Sequence, residues 1–75
     1  MTLQERYITA LQLRGSQIVP SRSGKYVIMT RPEKPGTFYF IGRAGAVRYG
    51  RTATQSFAAG DKWKAWLLAN VLAAL

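Results

Sequence analysis

The 75-residue chain has no cysteine and no histidine. The first absence excludes disulfide staples, and together they leave no thiolate or imidazole ligands for a structural zinc. They also remove the commonest general base and the strongest nucleophile of protein chemistry. Acid is scarce as well: Glu5, Glu33 and Asp61 are the three carboxylates, against eleven Lys and Arg. Each has a structural task at hand, in a capping box, a Pro-Gly turn and a helix start respectively. The expectation is a protein that is not an enzyme and holds no cofactor or metal.

Long apolar runs are missing too. The most apolar stretch, residues 65–75 (AWLLANVLAAL), is interrupted by Asn70 and is shorter than the about 20 residues a bilayer span needs. Residues 2–14 are broken by Gln4, Glu5, Arg6 and Gln12, which argues against a secretory leader. The lack of cysteine fits a reducing compartment. A cytoplasmic protein with no membrane contact is therefore expected.

What is present is enough to fold. Hydrophobic residues make up 48% of the chain, with two Trp, four Tyr and three Phe, too apolar for a disordered segment. The length allows one domain, a small basic α+β unit over residues 1–75.

Thr2-Leu3-Gln4-Glu5 has capping-box spacing. Leu3, Tyr7, Ala10 and Leu11 then recur at helical intervals, widened by Ile8, and Gly15 follows as a natural stop. A helix from about residue 3 to 14 is predicted. Residues 16–25 are turn-rich, with a brief apolar touch at Ile18-Val19. Strands are predicted at 26–31, 37–41 and 46–49, joined by Pro32-Glu33-Lys34-Pro35-Gly36 and Gly42-Arg43-Ala44-Gly45. Residues 51–60 read as a loop. Asp61 then caps a second helix, with Trp63, Trp66, Leu67 and Val71 on one stripe and Leu68, Leu72 and Leu75 on another. The expected fold is a three-stranded antiparallel meander flanked by N- and C-terminal helices, in the order α-β-β-β-α.

Loop lengths imply a register. Thr30 meets Phe38 and Ile28 meets Phe40; Ile41 meets Ala46, Phe40 meets Val47 and Phe38 meets Tyr49. Ile28, Phe38, Phe40, Val47 and Tyr49 then form the core face. Val27, Met29, Arg31, Thr37, Tyr39, Ile41 and Arg48 form the other. A slip of one residue exchanges the faces.

The positive charge is concentrated. Eight of the eleven basic residues lie between Arg14 and Arg51, opposed only by Glu33, and the formal net charge is +8. Arginine forks suit phosphate, and an aromatic among them can stack on a base. Arg22, Lys25, Arg31, Tyr39, Arg43, Arg48 and Arg51 are therefore the candidate nucleic-acid-binding residues, with phosphate contacts dominating. A solvated basic face that only keeps the protein soluble is the plain alternative. If a helix covers the face carrying Arg31 and Tyr39, the binding surface shrinks to the loops. The stretch from Gly45 to Thr52 (GAVRYGRT) matches a phosphate-loop template with Arg51 in place of lysine. Its interior reads as a strand, so nucleotide hydrolysis is rejected.

The stripe Leu68, Leu72, Leu75 is the candidate surface for self-association into a homo-oligomer, a homodimer in its simplest form. An interaction module whose basic surface meets an acidic protein partner is the alternative function. The segments Ser21–Tyr26, Phe38–Arg43 and Gly45–Thr52, with spaced Gly-Arg and aromatic positions, resemble short proteins of bacteriophage and prophage genomes without assigned function. That resemblance implies an accessory role and carries no catalytic residues. In architecture alone, sheet followed by helix also resembles the three-stranded arm-binding domains of tyrosine recombinases, from which the leading helix departs.

Overall fold

The computed structural model describes residues 1–21 and 24–71. Helix α1 spans Leu3–Leu13 and is followed by strands β1 (Ile18–Val19), β2 (Tyr26–Thr30), β3 (Phe38–Gly42), β4 (Val47–Gly50) and β5 (Ser56–Ala58). Helix α2 spans Asp61–Trp66 and continues as a π-helical turn over Leu67–Val71. The strands form one antiparallel sheet in the order β1-β2-β3-β4-β5. The α+β class is as expected, but the meander has five strands rather than three.

The two extra strands are short edge strands without alternation. Ile18 and Val19 pair with Met29 and Ile28, so the apolar touch in the turn-rich segment is β1. Residues 56–58 pair with 48–50, in the middle of the expected loop. Here Gly50 matters: a Cβ on it would lie 2.3 Å from Gln55 O and 2.7 Å from Ser56 Cα. Only a bare backbone lets β5 approach so closely.

The β2–β3 register is the expected one, with Thr30 opposite Phe38 and Ile28 opposite Phe40. The β3–β4 register is shifted by one: Ile41 faces Val47, Phe40 faces Arg48 and Tyr39 faces Tyr49. The cause is the turn. Gly42 N–H donates to Ala46 O at 2.8 Å, leaving a three-residue loop instead of four. Gly45 closes it at φ +93°, the left-handed conformation that a three-residue hairpin demands.

In β2 and β3 the faces are exchanged, while Val47 and Tyr49 of β4 keep the core side expected of them. Met29, Tyr39, Ile41 and Val47 pack with Tyr7, Ala10 and Leu11 of α1 and Leu67 of the C-terminal helix, forming the core. Ile28, Phe38 and Phe40, expected to be core, lie on the face that neither helix covers. That face is partly roofed by residues 51–53, which line a hollow with Val19, Tyr26 and Phe40. Tyr26 meets Phe40 edge-on at 5.6 Å. Because β2 and β3 are apolar on both sides, their alternation held no information about which side a helix would choose.

Helix α1 is tied down at both ends. The Thr2–Glu5 capping box forms as expected, and Gln4 Nε2 donates to Ile41 O at 3.0 Å. At the other end Ser16 N–H donates to Leu11 O and Gly15 N–H to Gln12 O, a Schellman closure. Eleven helical residues reach about 16 Å, close to the about 17 Å of a five-residue strand. The helix therefore runs the length of β3, from the Gly45 turn, where Leu3 packs, to Pro32 beside Gly15.

Gly60, not Asp61, is the N-cap of α2, and no side chain caps it. In the π-helical turn, Asn70 Nδ2 donates to Trp66 O at 3.1 Å, serving a carbonyl in the widened ladder. Trp63, Leu68 and Val71 are half-buried against the core and Leu67 is fully buried. Among the described residues no helix is long and apolar enough to cross a membrane.

Gly45→Ala is expected to destabilise the protein by about 1–3 kcal/mol, the usual cost of a non-glycine residue held at such a φ. The new Cβ would also meet Leu3 Cδ2 at 2.3 Å. Urea denaturation measures the loss, and adding Leu3→Ala should relieve the steric part only. A loss below the measurement error would show that the turn does not depend on this backbone.

Candidate functional site

One row of side chains crosses the whole sheet on the helix-covered face. Ile18, Met29, Tyr39, Tyr49 and Phe57 stand directly opposite one another on successive strands. The helices cover the middle of this row. Met29 and Tyr39 are buried, while Ile18 and Phe57 at the two edges are exposed.

Arg31 follows β2 by one residue and points to the same side as Met29. Its guanidinium lies 5.3 Å from the Tyr39 ring centre and 4.8 Å from that of Tyr49. Cation–π attraction at such distances holds the fork between two rings. Glu33, two residues on, accepts from Arg31 Nε at 3.4 Å and from the Tyr39 hydroxyl. Tyr39 in turn stacks on Trp63, with ring centres 5.9 Å apart. Arg31, Glu33, Tyr39, Tyr49 and Trp63 thus form one connected cluster.

Burial of the Tyr39 phenol, together with its bond to the Glu33 carboxylate, pushes its pKa up to about 12. Burial also acts to raise Glu33, but hydrogen bonds from Tyr39, its own backbone and Arg31 outweigh it and hold that carboxyl below its ordinary value. Proton and charge are therefore well sorted: the phenol stays neutral, the carboxylate stays ionised, and the guanidinium is fixed above both rings.

Two adjoining hollows share Arg31 and Tyr49. One, of about 430 Å³, runs from Arg14 past Arg31 and Glu33 to Trp63. The other, of about 590 Å³, is lined by Lys34, Gly36, Arg51, Gln55 and Phe57 among others. Together they place Arg14, Arg31, Lys34 and Arg51 around one concave surface at the end of the sheet where the β2–β3 loop lies. Glu33 is the single carboxylate among the lining residues. The loop is shaped by two successive turns, Lys34 N–H to Arg31 O and Thr37 N–H to Lys34 O, with Pro32 and Pro35 each in the second position of a turn. Arg14 is steadied by Trp66, whose ring lies 5.0 Å beneath its guanidinium.

Compared with protein-family models, with curated proteins and with solved structures, the chain finds no match in any of the three.

The expected site residues do not assemble as one surface. Tyr39 is only 4% exposed and has no free ring face for a base. The Arg31 side chain is 16% exposed and ion-paired with Glu33. Arg48 lies on the opposite face, where Nε donates to Ser56 Oγ at 2.8 Å and Nη2 to Ser56 O at 2.7 Å. It fastens β5. Lys25 and Arg43 are exposed and stand at the end of the sheet with the Gly45 turn, a strand's length from Arg51. Arg22 lies outside the described residues. Of the described cations in the expected set, Arg31 and Arg51 line one hollow, with Tyr39 buried beneath Arg31.

The helices do cover the face carrying Arg31 and Tyr39, and the loop end of that side also carries Arg14, Lys34 and Phe57, none of them among the expected residues. Of the self-association stripe, Leu68 packs on the core, and Leu72 and Leu75 lie outside the described residues. The phosphate-loop look-alike is β4 and its flanks, with Val47–Gly50 as a strand.

Alkaline spectrophotometric titration should show one tyrosine ionising last, near pH 12, and Tyr39→Phe should remove that step. Since the folded pKa is raised, its contribution to stability is present below pH 10 and lost as pH rises towards 12. Glu33 acts in the opposite sense: its contribution holds above its unfolded pKa near 4.5 and fades as pH falls below it. Four tyrosines titrating together would show that the cluster is not formed in solution.

Proposed function

We propose that the protein binds nucleic acid, mainly through phosphate contacts, at the concave loop end of the helix-covered side. The observation that carries this reading is the grouping of Arg14, Arg31, Lys34 and Arg51 about two hollows with a single carboxylate between them. A strand of phosphates neutralises such a groove and releases its own counterions on binding. Two of the arginines are held over aromatic rings, so less side-chain entropy is lost when they engage an anion. Arg forks bind phosphate bidentately, and Lys34 adds a mobile point charge from the loop.

The net charge of +8 also speeds encounter with any polyanion, whatever surface finally holds it. Location is therefore the point to test. Lys34→Ala combined with Arg51→Ala should weaken binding and flatten its salt dependence, by about 0.7 in log–log slope per contact on a single strand or about 0.9 on a duplex. Lys25→Ala combined with Arg43→Ala removes the same charge from the far end of the sheet and should change the slope less. Fluorescence anisotropy across a salt series measures both. Equal effects from the two pairs would mean unlocalised attraction and remove the groove from the reading. Binding of polyglutamate without binding of DNA or RNA would assign the groove to an acidic protein partner.

A further inference from the structure

Every aromatic side chain in the central cluster is engaged except at its outer end. Phe57 is 70% exposed, on edge strand β5, in a segment that otherwise carries small and polar residues. Nothing in the core requires it. A phenylalanine left mostly in water forgoes the burial that would favour it, and the two other aromatics of the row, Tyr39 and Tyr49, are at least half-buried, as is Trp63 stacked on Tyr39.

Its surroundings are specific. Tyr49 stands directly across from it in the β4–β5 register, with ring centres 6.1 Å apart and planes inclined at 41°. Behind Tyr49 is the Arg31 guanidinium at 4.8 Å. Phe57 thus has a rigid aromatic support on one side and solvent on the other. Arg31, Lys34, Arg51 and Gln55 line the same hollow. An exposed ring backed by a fixed neighbour and surrounded by cations has the chemistry that single strands meet in their binding grooves: bases stack on the ring while the backbone follows the charges. A duplex offers such a ring a base face only at its ends or at a kinked step, which costs unstacking energy, because its bases are stacked on one another.

We propose that Phe57 is a stacking platform for an unpaired base, and that the ligand of the groove is single-stranded nucleic acid. The inference rests on the phosphate-binding reading above and narrows its ligand class. Phe57 supplies the base contact, Tyr49 holds its ring in place with Arg31 behind it, and Lys34 and Arg51 meet the phosphates on either side of the stacked base. Because any base has an aromatic face, the contact is tolerant of sequence.

The experiment compares a labelled oligothymidylate of about ten nucleotides, within the span that small single-strand binders cover, with a labelled duplex of equal length. Anisotropy titrations use the wild type, Phe57→Ala, Phe57→Leu and Phe57→Trp, each checked for unchanged thermal unfolding. The wild type should prefer the single strand. Phe57→Ala should lose roughly five- to a hundredfold affinity for it, with the salt slope and the duplex affinity unchanged. Phe57→Trp should retain binding, and Phe57→Leu, apolar without a ring face, should behave like Phe57→Ala. Unchanged single-strand affinity in Phe57→Ala, or wild-type affinity in Phe57→Leu, overturns the stacking role while leaving phosphate binding intact. No binding of either probe by the wild type overturns the reading beneath it as well. If instead the wild type sediments as a dimer that Phe57→Ala dissociates, the ring is a contact between copies and the stacking role falls.

Discussion

The turn between β3 and β4 decides which side chains meet on both faces of the sheet. Its three-residue form needs a left-handed backbone at Gly45, and that choice sets Tyr39 opposite Tyr49 and Phe40 opposite Arg48. A four-residue turn would put Tyr49 on the other face and leave the Arg31 guanidinium with one ring instead of two. The same glycine lets Leu3 lie against the turn, so the start of α1 is placed by it too. Strand register, helix position and the aromatic–cation cluster all depend on one dihedral angle.

A chain with so little acid must choose where to spend it. Glu5 caps α1, where accepting the Thr2 N–H lowers its pKa. Asp61 sits in the first turn of α2, where the helix dipole favours a negative charge. Glu33 alone faces the basic concavity, and its partners Arg31 and Tyr39 keep it ionised. It serves to orient one arginine rather than to neutralise the groove. Three other cations are held by other means: Arg14 and Lys64 lie over the Trp66 and Tyr7 rings, and Arg48 is bonded to Ser56. Aromatic rings thus take over part of the work that carboxylates do in a more balanced protein.

This use of rings also connects packing to the proposed binding. The row from Met29 through Tyr39 and Tyr49 to Phe57 begins as core and ends in water, because the helices cover only its middle. The aromatic that is structural at Tyr39 becomes available at Phe57 with no change in residue class. A binding surface built in this way inherits the rigidity of the core beside it.

Much of the local structure was legible in the residues themselves. The capping box at Thr2–Glu5, the helical stripe of Tyr7, Ala10 and Leu11, and the β2–β3 pairing follow from spacing and turn chemistry, which act over a few residues. The concentration of charge between Arg14 and Arg51 was likewise plain in the composition. Which cations stand together was not. Arg31, Lys34 and Arg51 line one hollow, while Arg48 is on the other face because one residue of register separates the two, and Arg43 stands in the turn at the opposite end of the sheet. Strands β1 and β5 escaped notice because two or three residues carry no periodicity, and they are strands only through the neighbours they pair with. The side of the sheet that the helices cover was equally hidden, since β2 and β3 are apolar on both. Sequence alone determined the elements whose stability is local and the sign of the surface. Only the tertiary structure decided which face is buried, which aromatic is left exposed and where the charge converges, because each of those depends on pairings between residues distant in the chain.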